Sequence, residues 1–264
     1  MNKIYIYIMK YIYIISIVVI IYVLIRNSYV EKLQNISPSS IYKNSTIPIF
    51  IISYNQYTFV KSMVEQLSKY SSNIYIIDNK STYPPLVEYL KSIENKVNVL
   101  YMPENYGHNV YMRDEIVKLG GEKYIITDPD LLLNPNLPQN FIDILSDLSD
   151  KYKVGKIGFA LDITNNINLN INAADNKQSI VDWESQFWLN KMDDPNYILY
   201  NAQIDTTFVL INTKYYTPGD YSAIRVAGDF TCVHRPWVIN YEKDLLNDEL
   251  TYYRTNNISS TWAL

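Results

Sequence analysis

Four short, largely apolar runs constrain this chain more than any other feature: Ile47–Ser53, Ile74–Ile77, Val97–Met102 and Tyr124–Thr127. Each has the length of a strand, and the first two are apolar at successive rather than alternate positions. That is the pattern of a strand covered on both faces, as in a parallel sheet. Between the runs the spacing becomes helical. Phe59, Val60, Met63, Val64 and Leu67 share one face. A second helix carries Pro84 in its first turn and runs to Ile93. A third reads from Val110 to Leu119 and ends at Gly120-Gly121. Strand–helix repetition predicts an α/β fold, and open parallel sheets bind ligands beyond the carboxyl ends of their strands. Ser53-Tyr54-Asn55, Asp78-Asn79, Asn105 and Asp128-Pro129-Asp130 are therefore expected along one edge.

The last of these groups is the most informative. Two carboxylates one residue apart at a strand end repel each other and resist burial unless something pairs them. A divalent cation is the simplest partner, and hard oxygen ligands suit magnesium or manganese, which keep positions open for phosphate oxygens. Pro129 stiffens the turn between the acids. The competing reading is an acidic strand-to-turn cap with no ligand.

No Gly-x-Gly-x-x-Gly and no Gly-rich loop ending in Gly-Lys-Ser/Thr is present, which argues against dinucleotide and P-loop sites. The order of pieces from Ile47 to Leu133 instead resembles the nucleotide-sugar half of family 2-type glycosyltransferases of the GT-A fold. The resemblance rests on Ser53-Tyr54-Asn55 after the first strand, Asp78-Asn79-Lys80-Ser81-Thr82 after the second, the Asn105-x-Gly107 turn, and Asp128-x-Asp130 after the fourth. It implies a single α/β GT-A (nucleotide-diphospho-sugar transferase-like) domain with a mostly parallel central sheet. It also implies a donor site using Ser53, Asn55, Asp78, Asn105, Gly107 and Asp128, with Asp78 on the base or ribose. Asp128 and Asp130 would hold Mn2+ or Mg2+ on the diphosphate, Asp130 most directly. The chain departs from the family at Asp78-Asn79, where two consecutive acids are common, so the nucleotide stays open; a UDP-sugar is favoured.

The second half supplies candidates for the remaining roles. A helix is expected over Leu137–Leu148, a strand over Lys156–Ile163, and a long surface loop over residues 164–180. Asp182-Trp183-Glu184-Ser185-Gln186-Phe187-Trp188 combines rings and acids, which suits sugars: rings stack on the apolar sugar face and acids accept from hydroxyls. The alternative places Trp183, Phe187 and Trp188 in the core and Glu184 on the surface. A strand over Ile204–Ile211 would present Asp205 at its start. If transfer inverts the anomeric carbon, a carboxylate must take the acceptor proton. Asp205 is the first choice, Glu184 the second, and Asp229 the remaining candidate. Only two histidines exist; His108 sits in the Asn105–Gly107 turn region, and His234 precedes Arg235-Pro236-Trp237. A late histidine completes the metal site in several metal-dependent GT-A enzymes, and His234 is similar in place and type; a structural histidine is the alternative. Arg225 or Arg235 could neutralise a diphosphate.

The residues before this body differ in kind. Ile4 to Ile25 is almost wholly Ile, Val, Leu and Tyr, and 22 residues of helix reach about 33 Å, enough to cross a bilayer. Residues 1–26 thus read as an uncleaved, single-pass membrane anchor, and 27–46 as a stem. Residues 47–264 form the catalytic domain, with 47–133 its nucleotide-sugar half and 134–264 its acceptor half. The net charge of −4 offers no basic surface for nucleic acid. The single Cys232 excludes an internal disulfide. The 26 tyrosines, with abundant Ile, Asn and Lys, reflect AT-rich codons rather than a tyrosine-lined site. The functional expectation is a metal-dependent transferase moving a hexosyl or N-acetylhexosaminyl group from a nucleotide-diphospho-sugar to a glycan, protein or lipid acceptor. Two rivals are a non-catalytic carbohydrate-binding protein on the same fold and a sugar nucleotidyltransferase, although Ser53–Lys61 lacks the glycines the latter needs.

Overall fold

A computed structural model describes residues 45–164 and 179–256. The expected anchor and nearly all of the stem lie outside the described residues, as does most of the 164–180 loop. Among the described residues no helix is long and apolar enough to cross a membrane.

The first half alternates as its sequence predicts: β1 (Ile49–Ser53), α1 (Tyr57–Leu67), β2 (Ile74–Asp78), α2 (Pro84–Ile93), β3 (Asn98–Tyr101), a 3-10 turn (Gly107–Met112), α3 (Asp114–Gly120) and β4 (Lys123–Thr127). Then follow β5 (Leu131–Leu132), α4 (Phe141–Tyr152), β6 (Lys156–Phe159) and α5 (Ile180–Ser185), the last running into a 3-10 turn (Gln186–Trp188). The chain ends with β7 (Lys191–Met192), β8 (Leu199–Asn201), β9 (Phe208–Asn212), β10 (Ile224–Val226), β11 (Val233–His234) and α6 (Glu249–Asn256).

Nine strands form one sheet in the order β3-β2-β1-β4-β9-β6-β10-β8-β7. Its pairings leave only β9 and β8 running against the other strands, so the sheet is mostly parallel. Successive side chains of a strand face opposite ways. Ile49 and Ile51 join Val60, Leu67, Leu86, Leu90, Leu145 and Leu148 under α1, α2 and α4. Phe50 and Ile52 face the other way, toward Val110, Ile116, Ile204 and Val209. Both faces are covered, which is why the sequence shows apolar runs without alternation. Antiparallel pairing of β9 with β4 joins the two halves in a single sheet.

Several element boundaries differ from the sequence reading. The strand expected over Lys156–Ile163 ends at Phe159. The helix expected over Val110–Leu119 breaks at Arg113, whose backbone is extended. Asp114 and Glu115 then supply the acidic first turn that a helix N-terminus favours. The helix expected from Leu137 begins at Phe141, because Pro138 and Asn140 close a turn whose carbonyl at Pro138 accepts from Phe141 N. The strand expected from Ile204 begins at Phe208. Thr207 N donates to Asp205 Oδ1 at 2.9 Å, and this local bond turns the chain before the ladder starts. Asp205 therefore sits in a side-chain-closed turn rather than at a strand end.

Candidate active site

Register alone assembles the donor edge. Ser53 lies opposite Asp78 across the β1–β2 pair, and Asp78 opposite Tyr101 across β2–β3. β4 runs parallel on the other side of β1, so its end delivers Asp128-Pro129-Asp130 to the same rim. Asp78 is buried, which pushes its carboxyl above the usual range, while hydrogen bonding from Ser81 pulls it back. Its Oδ2 accepts from Ser81 N at 3.1 Å, and its Oδ1 is buried with no hydrogen-bond partner. Among the described residues Ser53 Oγ is likewise buried without a hydrogen-bond partner.

Asn55, expected to touch the donor, spends its carbonyl oxygen on the protein. The residue adopts φ +53°, and Oδ1 accepts from Thr82 N at 2.7 Å and Tyr83 N at 2.9 Å. It stitches the loop after β1 to the loop after β2, leaving only a buried Nδ2 unpaired. Asn105 and Gly107 likewise shape a turn: Asn105 Oδ1 accepts from Gly107 N at 2.8 Å, and Gly107 takes φ +64°, where a side chain is strained. Asn79, expected along the ligand edge, holds that turn instead: its Nδ2 donates to Gly107 O at 3.0 Å and its Oδ1 accepts from Tyr106 N at 3.3 Å.

The metal candidates are brought together in part. β5 and β11 pair antiparallel, with His234 opposite Leu131, and Arg235 N donates to Asp130 O at 2.9 Å. This two-strand clasp sets His234 Nε2 3.5 Å from Asp130 Oδ2. Gln66 of α1 fixes the clasp from below, donating to Leu131 O and accepting from Leu133 N. Asp130 is 4% exposed, and burial raises its carboxyl; Asp205 adds to that rise, while His234 and Arg235 oppose it. Asp130 Oδ1 and His234 Nδ1 are both buried without partners. Asp128 turns instead to Thr206, whose hydroxyl lies 3.0 and 3.1 Å from its two carboxylate oxygens. Burial lifts Asp128 well above the usual carboxylate range, and the charges of Asp130 and Asp205 lift it further. Among the described residues no three His, Cys, Asp or Glu side chains already form a metal cluster. Asp130 and His234 make a half-site, which suits a cation whose other positions go to phosphate oxygens and water. The orphaned Asp130 Oδ1 fits that use, and Nε2, the His234 nitrogen that faces Asp130, is the one that would share the cation.

The two base candidates have different surroundings. Asp205 is exposed, and its Oδ1 is held by the amide and hydroxyl of Thr207. Its charge adds to the upward shifts of the Asp128, Asp130 and Glu184 carboxyls. Glu184 is 1% exposed rather than on the surface. Its Oε1 accepts from Arg225 Nη1, and Arg225 Nε donates to Gln203 O at 2.7 Å. Burial pushes Glu184 up to about 7 against the pull of Arg225. Arg225 is thus committed to a buried pair and is not free for a diphosphate. Arg235 reaches Asp244 at 3.2 Å and lies over the Phe59 ring. Asp229 is exposed and His108 is exposed, and neither joins these contacts. Cys232 is buried, and burial raises its thiol far above ordinary values, consistent with a packing role.

The Glycosyl transferase family 2 profile matches residues 49–213, more than half of the chain. The chain belongs to that family, and its sheet is of the GT-A type. No curated protein matches it by sequence. Among solved structures it is similar to a mannosyltransferase from Pyrobaculum calidifontis in complex with GDP-Man and Mn2+. That match has 12% identity and a TM-score of 0.40 over 81% of this chain; the chain spans 65% of the mannosyltransferase's length. It is also similar to a 4-diphosphocytidyl-2C-methyl-D-erythritol synthase from Anaerococcus prevotii DSM 20548, at 9% identity and a TM-score of 0.33. There it covers 69% of this chain and 88% of the other.

Proposed function

We propose that this protein transfers a hexosyl or N-acetylhexosaminyl group from a nucleotide-diphospho-sugar, with a UDP-sugar favoured, to an acceptor hydroxyl in a metal-dependent reaction. The observation that carries the reading is the β5–β11 clasp. It holds His234 Nε2 against Asp130 at the rim that also carries Ser53 and Asp78, and among the described residues it leaves Asp130 Oδ1 buried without a partner. An unpaired buried acceptor of this kind is costly unless a ligand uses it.

Asp130 and His234 would hold Mn2+ or Mg2+, with Asp128 beside them. When bound, the cation offsets the charge that builds on the departing nucleoside diphosphate. Asp78 and Ser53 would orient the nucleoside. The Thr206 hydroxyl holds the Asp128 carboxylate in place. Asp205 would take the proton of the acceptor oxygen as that oxygen bonds to the anomeric carbon and the bond to the diphosphate breaks. Its Oδ1 is anchored by Thr207, and among the described residues its Oδ2 has no hydrogen-bond partner. Glu184 reads as a structural acid, because its one close partner is a buried guanidinium. A membrane anchor in residues 1–26 is part of the same proposal and rests on the apolar run at Ile4–Ile25.

The test is sugar transfer and donor hydrolysis with a panel of UDP- and GDP-sugars and Mn2+. Activity that survives both EDTA and Asp130→Ala would remove the metal from the mechanism. Activity that survives Asp205→Ala would move the base elsewhere.

A further inference from the structure

We infer that the groove between the Trp183–Asn190 segment and the Asp220–Ala223 loop binds a neutral pyranose, the terminal ring of a glycan acceptor. The proposal deepens the glycosyltransferase reading and rests on it for the direction of transfer.

The groove is a cavity of about 530 Å3, within the range of small-molecule sites (roughly 300–1,000 Å3). Three rings form its walls: Trp183, Phe187 and Tyr221. Trp183 is 52% exposed and Tyr221 69% exposed, so large apolar faces stand open to solvent across a cleft. Clustered exposed aromatic surface marks a contact site rather than a core. The wall is braced from behind. Phe187 lies 4.0 Å over the Arg225 guanidinium, itself tied to buried Glu184, and meets Trp183 edge-on at 6.1 Å.

The polar lining selects the ligand. Four primary amides border the space: Gln186, whose Nε2 already donates to Trp183 O at 2.7 Å, and Asn190, Asn201 and Gln203, a side-chain type that offers both a donor and an acceptor. Vicinal sugar hydroxyls need that pairing, while the C–H face of a pyranose needs the rings. No lysine or arginine lines the groove, so a phosphate or carboxylate ligand has nothing to pair with. The single acid, Asp220, accepts from Ser222 N at 2.8 Å and keeps a second oxygen for a hydroxyl. A lipid chain would strand the amides unpaired. The groove lies close in sequence to the proposed base: Gln203 in its wall is two residues from Asp205.

The full chain is labelled with 5-fluorotryptophan, and the Trp183 resonance is identified by its loss in Trp183→Phe. Methyl α-mannopyranoside, methyl β-glucopyranoside, maltotriose and N,N′-diacetylchitobiose are titrated without donor or metal. At least one is expected to shift the Trp183 signal in the millimolar range, and the shift should vanish in Tyr221→Ala. In transfer assays with that sugar, Trp183→Ala and Tyr221→Ala should raise the acceptor KM about tenfold while donor hydrolysis stays within about twofold of wild type. A Trp183 signal unmoved by every sugar while the donor is hydrolysed normally overturns the groove and leaves the transferase reading intact. A signal that moves with a serine-containing peptide or an alkyl chain but not with sugars also overturns it. A sugar-dependent shift in a protein that hydrolyses no donor upholds the groove and refutes the transferase reading.

Discussion

Removing Glu184 is the perturbation with the most to say about this fold. Glu184 and Arg225 are 1% and 6% exposed and form an ion pair in the second half of the sheet. In Glu184→Ala the guanidinium keeps the Gln203 carbonyl at 2.7 Å and the Phe187 face at 4.0 Å, but loses the one ion-pair partner it has among the described residues. Breaking one side of a buried pair costs about 3–5 kcal/mol. At about 2–4 °C per kcal/mol for a body of this size, the melting temperature should fall by roughly 6–20 °C. Far-UV circular dichroism in a thermal scan and in urea would read it. The double variant Glu184→Met/Arg225→Met should recover most of the loss, because replacing a buried pair by apolar side chains is often neutral. A single-variant cost below about 1 kcal/mol, or a double-mutant cycle with no coupling, would refute the claim that the pair is desolvated. The pH dependence follows from the same residue. Burial raises the Glu184 carboxyl to about 7, so between the ordinary carboxylate range and that value the folded chain binds more protons than the unfolded one. Stability from this group is full below the unfolded pKa and declines as pH rises toward 7; Glu184→Gln should remove that decline.

Other outcomes follow from single contacts. Asp130→Ala should lower kcat/KM for transfer by about 100- to 1,000-fold, measured by product release with saturating Mn2+. Gly158→Ala should destabilise by about 3 kcal/mol or more, read from the urea midpoint, because the added carbon would meet the Phe208 carbonyl oxygen at 1.9 Å in the β6–β9 pair. Glu249→Ala should cost about 1–2 kcal/mol in the same assay. Its buried carboxylate accepts from Thr58 N at 2.8 Å and from the Thr58 hydroxyl, capping α1, whose own N-cap residue makes no side-chain bond. Thr206→Val should weaken Mn2+ dependence without unfolding the chain, seen as a higher metal concentration for half-maximal activity, since it removes only the hydroxyl that aims Asp128.

The first half was legible residue by residue. Its signals are local: apolar runs long enough for doubly covered strands, helical spacing between them, and acids or amides after each strand. Those signals put Ser53, Asp78, Asp128 and Asp130 on one edge before any coordinates were needed. The second half was less legible because its logic is long-range. Thr206 aims Asp128 from 78 residues away, Glu249 caps α1 from 191 away, and Gln66 clamps the Asp130 loop from 65 away. Nothing in a window of sequence distinguishes such residues from solvated ones. Glu184 looked like a surface acid or a base, and only the fold shows that Arg225, 41 residues on, buries it.

The sequence by itself therefore determined the layered sheet and which carboxylates reach its rim, because periodicity and strand-end position are written in consecutive residues. Tertiary structure decided which of those groups are consumed by the protein and which are left without partners: Asn55 is spent on a loop and Arg225 on Glu184, while Asp130 and His234 face each other across the β5–β11 clasp. Pairing between distant strands settles this, and the energy of that pairing depends on register and burial that no local stretch encodes.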